Sequence, residues 1–173
     1  MLICDYFRSE RDQTWDYALQ CGVNNGVIRL PETPEFRASD RGAFKAVVKK
    51  FKDFGITPRV IEPLPNYLHD HIKSGDSLRD ASIEEVIKML ALMDEFDIRT
   101  LCFNFMAMVG WTRTKNDIIE RGGAFVTGFN IDDYTPVSGA ITAEKLWENY
   151  TYFIKAIVPY AEKHNIRLAL HPD

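Results

Sequence analysis

The sequence predicts an α/β protein in which short parallel strands alternate with longer helices. Two observations carry that reading. Five short, largely apolar runs are separated by polar turns and by stretches whose apolar residues recur at three- and four-residue spacing, the pattern of βα units on a parallel sheet. The chain also repeats one helix-to-strand junction three times, as Phe54-Gly55-Ile56, Phe96-Asp97-Ile98 and His164-Asn165-Ile166. Each puts a residue tolerant of a left-handed or turn conformation after a helix, and then an apolar residue that enters the next strand.

Taken in order, strands are expected at residues 2–5, 26–30, 59–63, 100–105 and 167–171. All are mostly apolar, as strands covered on both faces should be. Helices are expected at residues 12–20, 41–54, 83–96 and 143–164. Ser82 and Glu85 make a capping-box pair that starts the third helix at Ser82, and Ile83, Val86, Ile87 and Leu90 form its apolar stripe. In the fourth helix Leu146, Tyr150, Phe153, Ile154, Ile157 and Val158 share a face that reads as core. Pro159 removes one intrahelical hydrogen bond there and should bend or loosen the helix locally.

About five parallel strands and four helices make an incomplete barrel of the (β/α)8 TIM-barrel type, whose full form takes about 250 residues. With 173 residues and no Ser/Gly linker or low-complexity segment, the chain reads as a single α/β domain over residues 1–173. The expectation is the N-terminal portion of such a barrel, truncated at the tip of its fifth strand, and an open sheet of another topology is the alternative. Ligands of parallel α/β folds bind at the C-terminal ends of the strands, so the last residues fall on the expected site.

The 21 basic and 25 acidic residues are interspersed and leave a net charge of −4. Such a surface offers no footprint for nucleic acid or an anionic membrane, and a small molecule is the expected partner. The N-terminus has no basic segment leading into an apolar one, and no run approaches the roughly 20 apolar residues of a membrane helix. A cytoplasmic location is expected. Cys4, Cys21 and Cys102 form no CxxC pair, which fits a reducing compartment, and each reads as a small buried residue rather than a reactive thiol.

Several apolar runs end on a polar residue: Asp5 and Tyr6, Arg29, Glu62, Asn104, and His171 with Asp173. In one barrel these groups would converge, although a strand reaching solvent also ends polar. His171 is the sharpest case, because a neutral imidazole on a rigid strand tip suits Mn²⁺, Fe²⁺ or Zn²⁺, with Asp173 as a further ligand or as an acceptor behind it. His69 and His71 would chelate if extended, but a solvated loop is the preferred reading of that segment. His164 sits in a last helical turn, where the helix dipole favours it, and takes no catalytic role. After Asn104 a long connection runs to the fourth helix, a length typical of lids and binding loops. Within it Trp111 can close over the apolar face of a sugar and Arg113 can hold a carboxylate in a bidentate pair. Arg121-Gly122-Gly123-Ala124 lacks the context of a phosphate loop and reads as flexible lid backbone.

Three segments resemble the mannonate dehydratases, members of the xylose-isomerase-like TIM-barrel superfamily. Cys102-Phe103-Asn104-Phe105-Met106 with Trp111-Thr112-Arg113-Thr114 is similar to the family's C-Y-N-F-M…D-W-T-R-T, and Leu170-His171-Pro172-Asp173 to the start of its I-H-P-D-D-P-P. Val60-Ile61-Glu62-Pro63-Leu64-Pro65, with Ile72-Lys73-Ser74-Gly75 downstream, resembles its V-E-S-x-P…I-K-x-G region. The resemblance runs along the whole chain but over only the first half of the family's length. It implies dehydration of D-mannonate to 2-keto-3-deoxy-D-gluconate with Mn²⁺ or Fe²⁺, and His171 as a metal ligand. Asn104, Trp111, Arg113 and Glu62 would then line the substrate pocket. The other ligands, a cysteine, a histidine and an aspartate, and the principal acid and base are implied beyond residue 173, so the chain by itself is expected to bind metal poorly and to be inactive. Where the family has Asp before Trp-Thr-Arg-Thr, this chain has Gly110. The alternatives are a sugar isomerase or epimerase of the same superfamily, or a non-catalytic carbohydrate-binding half-barrel whose open edges would favour homo-oligomers.

Overall fold

The computed structural model describes residues 1–106, 112–135 and 141–171. Five strands form one parallel sheet: β1 (Asp5–Phe7), β2 (Asn25–Ile28), β3 (Thr57–Ile61), β4 (Thr100–Asn104) and β7 (Arg167–His171), side by side in that order. Each strand pairs with its predecessor in this series without reversal, the progression of a barrel wall. Five α-helices connect or flank them: α1 (Gln13–Gln20), α2 (Arg41–Phe54), α3 (Asn66–Ser74), α4 (Arg79–Glu95) and α5 (Ala143–Lys163). Between β4 and α5 an antiparallel pair, β5 (Lys115–Ile119) and β6 (Phe125–Gly128), stands as a separate two-stranded ribbon. Among the described residues no helix is long and apolar enough to cross a membrane.

The repeated junctions are built alike, and their backbone explains why. Gly55, Asp97 and Asn165 take positive φ of 98°, 60° and 52°. The amides of Ile56, Ile98 and Ile166 then donate to Phe51, Met93 and Ala161, five residues back, at 2.8–2.9 Å. This closes the last turn and swings the isoleucine into the core, where all three are buried. Gly22 and Val23 end α1 by the same device, with Val23 donating to Ala18 at 2.8 Å. The starts of α1, α2 and α5 are capped by Asp12, Asp40 and Thr142, whose side chains accept from backbone amides of the first turn.

Several expectations are corrected. β1 begins at Asp5, where the expected strand ended, because Phe7 is the residue that packs. Its ring meets Trp15 edge-on at 6.0 Å, and Trp15 stacks on Phe51 at 4.4 Å, while Leu2 and Ile3 stay exposed. Asp5 and Tyr6 therefore precede the strand tip. The third helix of the sequence reading, now α4, starts at Arg79 rather than Ser82. Ser82 is buried inside it, and Glu85 accepts a 2.6 Å hydrogen bond from the Tyr67 hydroxyl instead of serving a capping box. The segment carrying His69 and His71 is helical, with Leu68, His69, Ile72 and Lys73 buried at helical spacing. Arg121–Gly123 forms a tight turn at the end of the ribbon rather than a flexible lid. Gly122 and Gly123 have φ of 77° and 80°, and Glu120 donates to Ala124 at 2.8 Å. The cysteines are not buried: Cys21 is exposed, and Cys4 and Cys102 are partly so. α5 runs through Pro159 without interruption.

Candidate metal centre

Strand alternation decides which side chains meet. In β4, Leu101 and Phe103 are buried against the helices, so Thr100, Cys102 and Asn104 face the other side of the sheet. In-register pairing sets Cys102 beside Ala169 and Asn104 beside His171. Ile61 pairs with Leu101, which brings the next residue of that chain segment, Glu62, to the level of Cys102. Leu64 ties the turn after β3 to β4 by donating to the Cys102 carbonyl at 3.2 Å, and the Glu62-Pro63 bond is cis.

The result is a cluster on the sheet face opposite the helices. His171 Nε2 lies 3.9 Å from Glu62 Oε1, and with Cys102 Sγ the three ligand atoms lie within 4.8 Å of one another. Imidazole, carboxylate and thiolate are donors that first-row divalent cations accept, so the donor set fits a metal of the class the sequence implies. Glu62, Asn104 and His171 are thus brought together as expected. Cys102 was read as an ordinary small residue, and only the register reveals it as a member. Its immediate neighbours Leu101 and Phe103 are apolar and buried, so residue type alone does not mark the cysteine as a ligand candidate.

Other expected site residues fall elsewhere or beyond description. Arg29 follows β2 and pairs with Glu32 at 3.4 Å. Arg113 lies at the base of the ribbon, where its guanidinium donates to Thr127 Oγ1 at 3.1 Å and to the Thr112 carbonyl at 3.0 Å. Trp111 and Asp173 lie outside the described residues. His71 Nδ1 is 2.8 Å from Asp76 and His164 Nδ1 is 3.0 Å from Asp94, each a structural link away from the cluster.

His69 supports the site from behind. It is 1% exposed, faces Phe103 and Phe105 edge-on at 6.2 and 5.8 Å, and hydrogen-bonds the backbone of Asn104. Burial, reinforced by nearby Lys73, lowers its pKa to about 3, so it stands neutral at pH 7. Burial likewise lowers the Lys73 pKa, which Asp70 partly offsets. On the helix side of the sheet an apolar cavity of about 230 Å³ lies among Phe105, Leu146, Trp147, Tyr150 and Leu170. Leu170 and His171 point to opposite faces, so this cavity is not part of the cluster.

Comparison with known proteins gives the family of the chain. The family described as D-mannonate dehydratase (UxuA) matches residues 3–138 and 132–173. A mannonate dehydratase from Oceanobacillus iheyensis is 32% identical over 174 residues, covering 85% of this chain and 49% of the relative. One from Streptococcus agalactiae is 30% identical, with 85% and 49% covered. The chain thus spans about half the length of these relatives. The crystal structure of mannonate dehydratase from Streptococcus suis serotype 2 superposes with a TM-score of 0.84 at 26% identity, over 100% of this chain and 54% of that one. A D-psicose 3-epimerase from Clostridium cellulolyticum H10 superposes with a TM-score of 0.60 at 13% identity, over 98% of this chain and 52% of that one, a likeness of fold. A family match that runs from Ile3 to Asp173, on a parallel sheet shared with a solved mannonate dehydratase, establishes that the chain belongs to the D-mannonate dehydratase family.

Proposed function

We propose that the polypeptide to which this chain belongs removes water from D-mannonate to give 2-keto-3-deoxy-D-gluconate, in the cytoplasm, with Mn²⁺ or Fe²⁺ held in part by His171. The observation that carries this reading is the place of His171. In a chain of this family, it ends β7 beside Glu62 on the sheet face opposite the helices.

The reaction is a β-elimination. The proton α to the carboxylate leaves to a base, the 3-hydroxyl departs as water with help from an acid, and the resulting enol becomes the 2-keto product. The cation, when bound, supplies positive charge where the carboxylate grows more negative as the proton leaves. This chain's own share is positioning. Asn104 ends β4 as the register partner of His171, its Oδ1 accepting from the Met106 amide at 3.3 Å, and Arg113 and Trp111 are the groups suited to the substrate carboxylate and sugar face. Glu62 forms a polar wall rather than the general base. The principal acid and base are assigned to the portion of the family fold beyond residue 173.

The test is Mn²⁺-dependent formation of 2-keto-3-deoxygluconate from D-mannonate by the longest natural form of the polypeptide, beside its His171→Ala variant. Activity lost with the histidine supports both the reaction and the metal role. A metal-loaded protein inactive on D-mannonate refutes the assignment and favours a sugar isomerase or epimerase on the same fold.

A further inference from the structure

We infer that Arg29 is a substrate-binding residue that holds the terminal hydroxyl of a sugar acid, at the end away from the reacting carbons. The inference rests on the reading of this sheet face as a sugar-acid site and gives that site its far wall.

Strand alternation and register place the residue. Gly26 and Ile28 of β2 are buried on the helix side, where a Cβ built on Gly26 would meet the Phe7 and Ile56 side chains, and Leu30 is buried as well. Arg29 lies between Ile28 and Leu30 and therefore takes the opposite face, the one that carries Glu62 and His171. Its amide still donates to the Phe7 carbonyl at 2.9 Å, so the ladder continues past the end of β2. Ile28 pairs with Ile61, and the Glu62 amide donates to the Ile28 carbonyl at 3.0 Å. Arg29 is thus level with Glu62 on the adjacent strand, one spacing of about 4.8 Å away. Across the strand ends the order is Arg29, Glu62, Asn104, His171.

The guanidinium is oriented but not saturated. Among the described residues its hydrogen bond is the one from Nη2 to Glu32 Oε1 at 3.4 Å, long for such a bond. Glu32 is itself fixed, because both its oxygens accept from the Asn66 amide at 3.2 Å at the start of α3. Most of the N–H fork of Arg29 therefore remains for a ligand, on a side chain that is 38% exposed. Glu32 and Glu62 flank it with two negative charges against one positive, so the place suits a neutral hydroxyl oxygen rather than a second carboxylate or a phosphate. With the reacting end of the acid at His171, the far carbons of a six-carbon chain run across the strand ends toward β2.

The experiment compares D-mannonate with D-lyxonate, which keeps the configuration at C2, C3 and C4 and lacks the terminal carbon. Steady-state rates and calorimetric binding are measured on the longest natural form of the polypeptide with Mn²⁺, unaltered and as Arg29→Lys and Arg29→Met, with circular dichroism to establish folding. Arg29→Met should raise KM for D-mannonate about tenfold and leave kcat within about twofold, the loss of an interaction shared by ground and transition states. The preference for D-mannonate over D-lyxonate should shrink by a similar factor, and Arg29→Lys should keep part of it. A residue that only braced β2 would weaken both acids alike and leave the preference unchanged, and that result overturns the assignment. Binding needs no turnover, so a protein that binds D-mannonate with an Arg29-dependent preference and does not dehydrate it upholds Arg29 while refuting the dehydratase reading. A folded protein that binds neither acid overturns both.

Discussion

Glu62 and His171 face each other at 3.9 Å across the sheet although β4 lies between the strands that lead to them. Curvature of a parallel sheet makes that contact: residues on the concave side of non-adjacent strands approach, while those on the helix side splay. Cys102, on the strand between, completes the cluster from beneath. A flat sheet with the same register would hold these groups farther apart.

The carboxylate is the member most easily isolated. Glu62→Gln keeps the size of the side chain and removes its charge and most of its affinity for a cation. Mn²⁺ affinity of the longest natural form of the polypeptide, measured by calorimetry, should fall about tenfold or more with the far-ultraviolet dichroism unchanged. Equal affinity in both proteins would show that the carboxylate does not bind the ion.

The neutral state of His69 makes stability depend on pH. Unfolded, the imidazole takes up a proton near pH 6.5; folded, it resists until about pH 3. The unfolded chain therefore binds more protons between these values. The contribution of His69 is complete above pH 6.5 and declines by about 1.4 kcal/mol per pH unit as pH falls toward 3. His69→Leu gives up a hydrogen bond to the Asn104 backbone and should be less stable at pH 7.5, yet its stability should fall less between pH 7 and pH 5. Urea midpoints at several pH values check this. Parallel profiles for the two proteins would refute it.

The parts of the molecule legible in the sequence are those set by local backbone chemistry. Gly55, Asp97 and Asn165 announce their helix ends because a positive φ needs such residues wherever they occur. β7 and α2 have the expected limits for similar reasons. What escaped depends on tertiary neighbours. α3 was hidden because His69 and Lys73 count as polar in any pattern, and only their burial under β4 and α5 completes its apolar face. Ser82 lost its capping role when α4 extended back to Arg79, whose guanidinium lies 3.7 Å from the Tyr152 ring. The ribbon carried a signal that went unused, two glycines between β-branched runs. At the site, His171, Glu62 and Asn104 stand at strand ends and so were visible, whereas membership of Cys102 depends on which face it takes.

Gly75 ends α3 with φ of 68°, and a Cβ built there would stand 2.5 Å from Asn149 Oδ1. Asn149 is fully buried and donates to the Lys73 carbonyl at 2.9 Å, so it has little room to move. Gly75→Ala should cost about 1–2 kcal/mol for the left-handed backbone alone, and more for the clash. Combining it with Asn149→Ala relieves the clash, so the double variant should lose less stability than the two singles added together. Strict additivity in urea denaturation would show that the alanine methyl does not meet Asn149.

Phe153 joins α5 to the strand that carries the cluster. It is fully buried, meets Phe103 at 5.7 Å with perpendicular rings, and stacks near Phe105 at 6.1 Å. Those two phenylalanines flank Asn104, whose backbone is also held by His69. Removing the ring opens a cavity directly behind the end of β4. Phe153→Ala should lower stability by about 3–5 kcal/mol, and Phe153→Leu by less because more of the volume stays filled. The loss should reach the cluster as well. If Phe153 only supplied bulk stability, the folded Phe153→Leu variant of the longest natural form of the polypeptide would bind Mn²⁺ as tightly as the unaltered protein. Because it packs against both neighbours of Asn104, the folded variant should bind Mn²⁺ measurably more weakly, and titration under conditions where dichroism shows full folding separates the two outcomes.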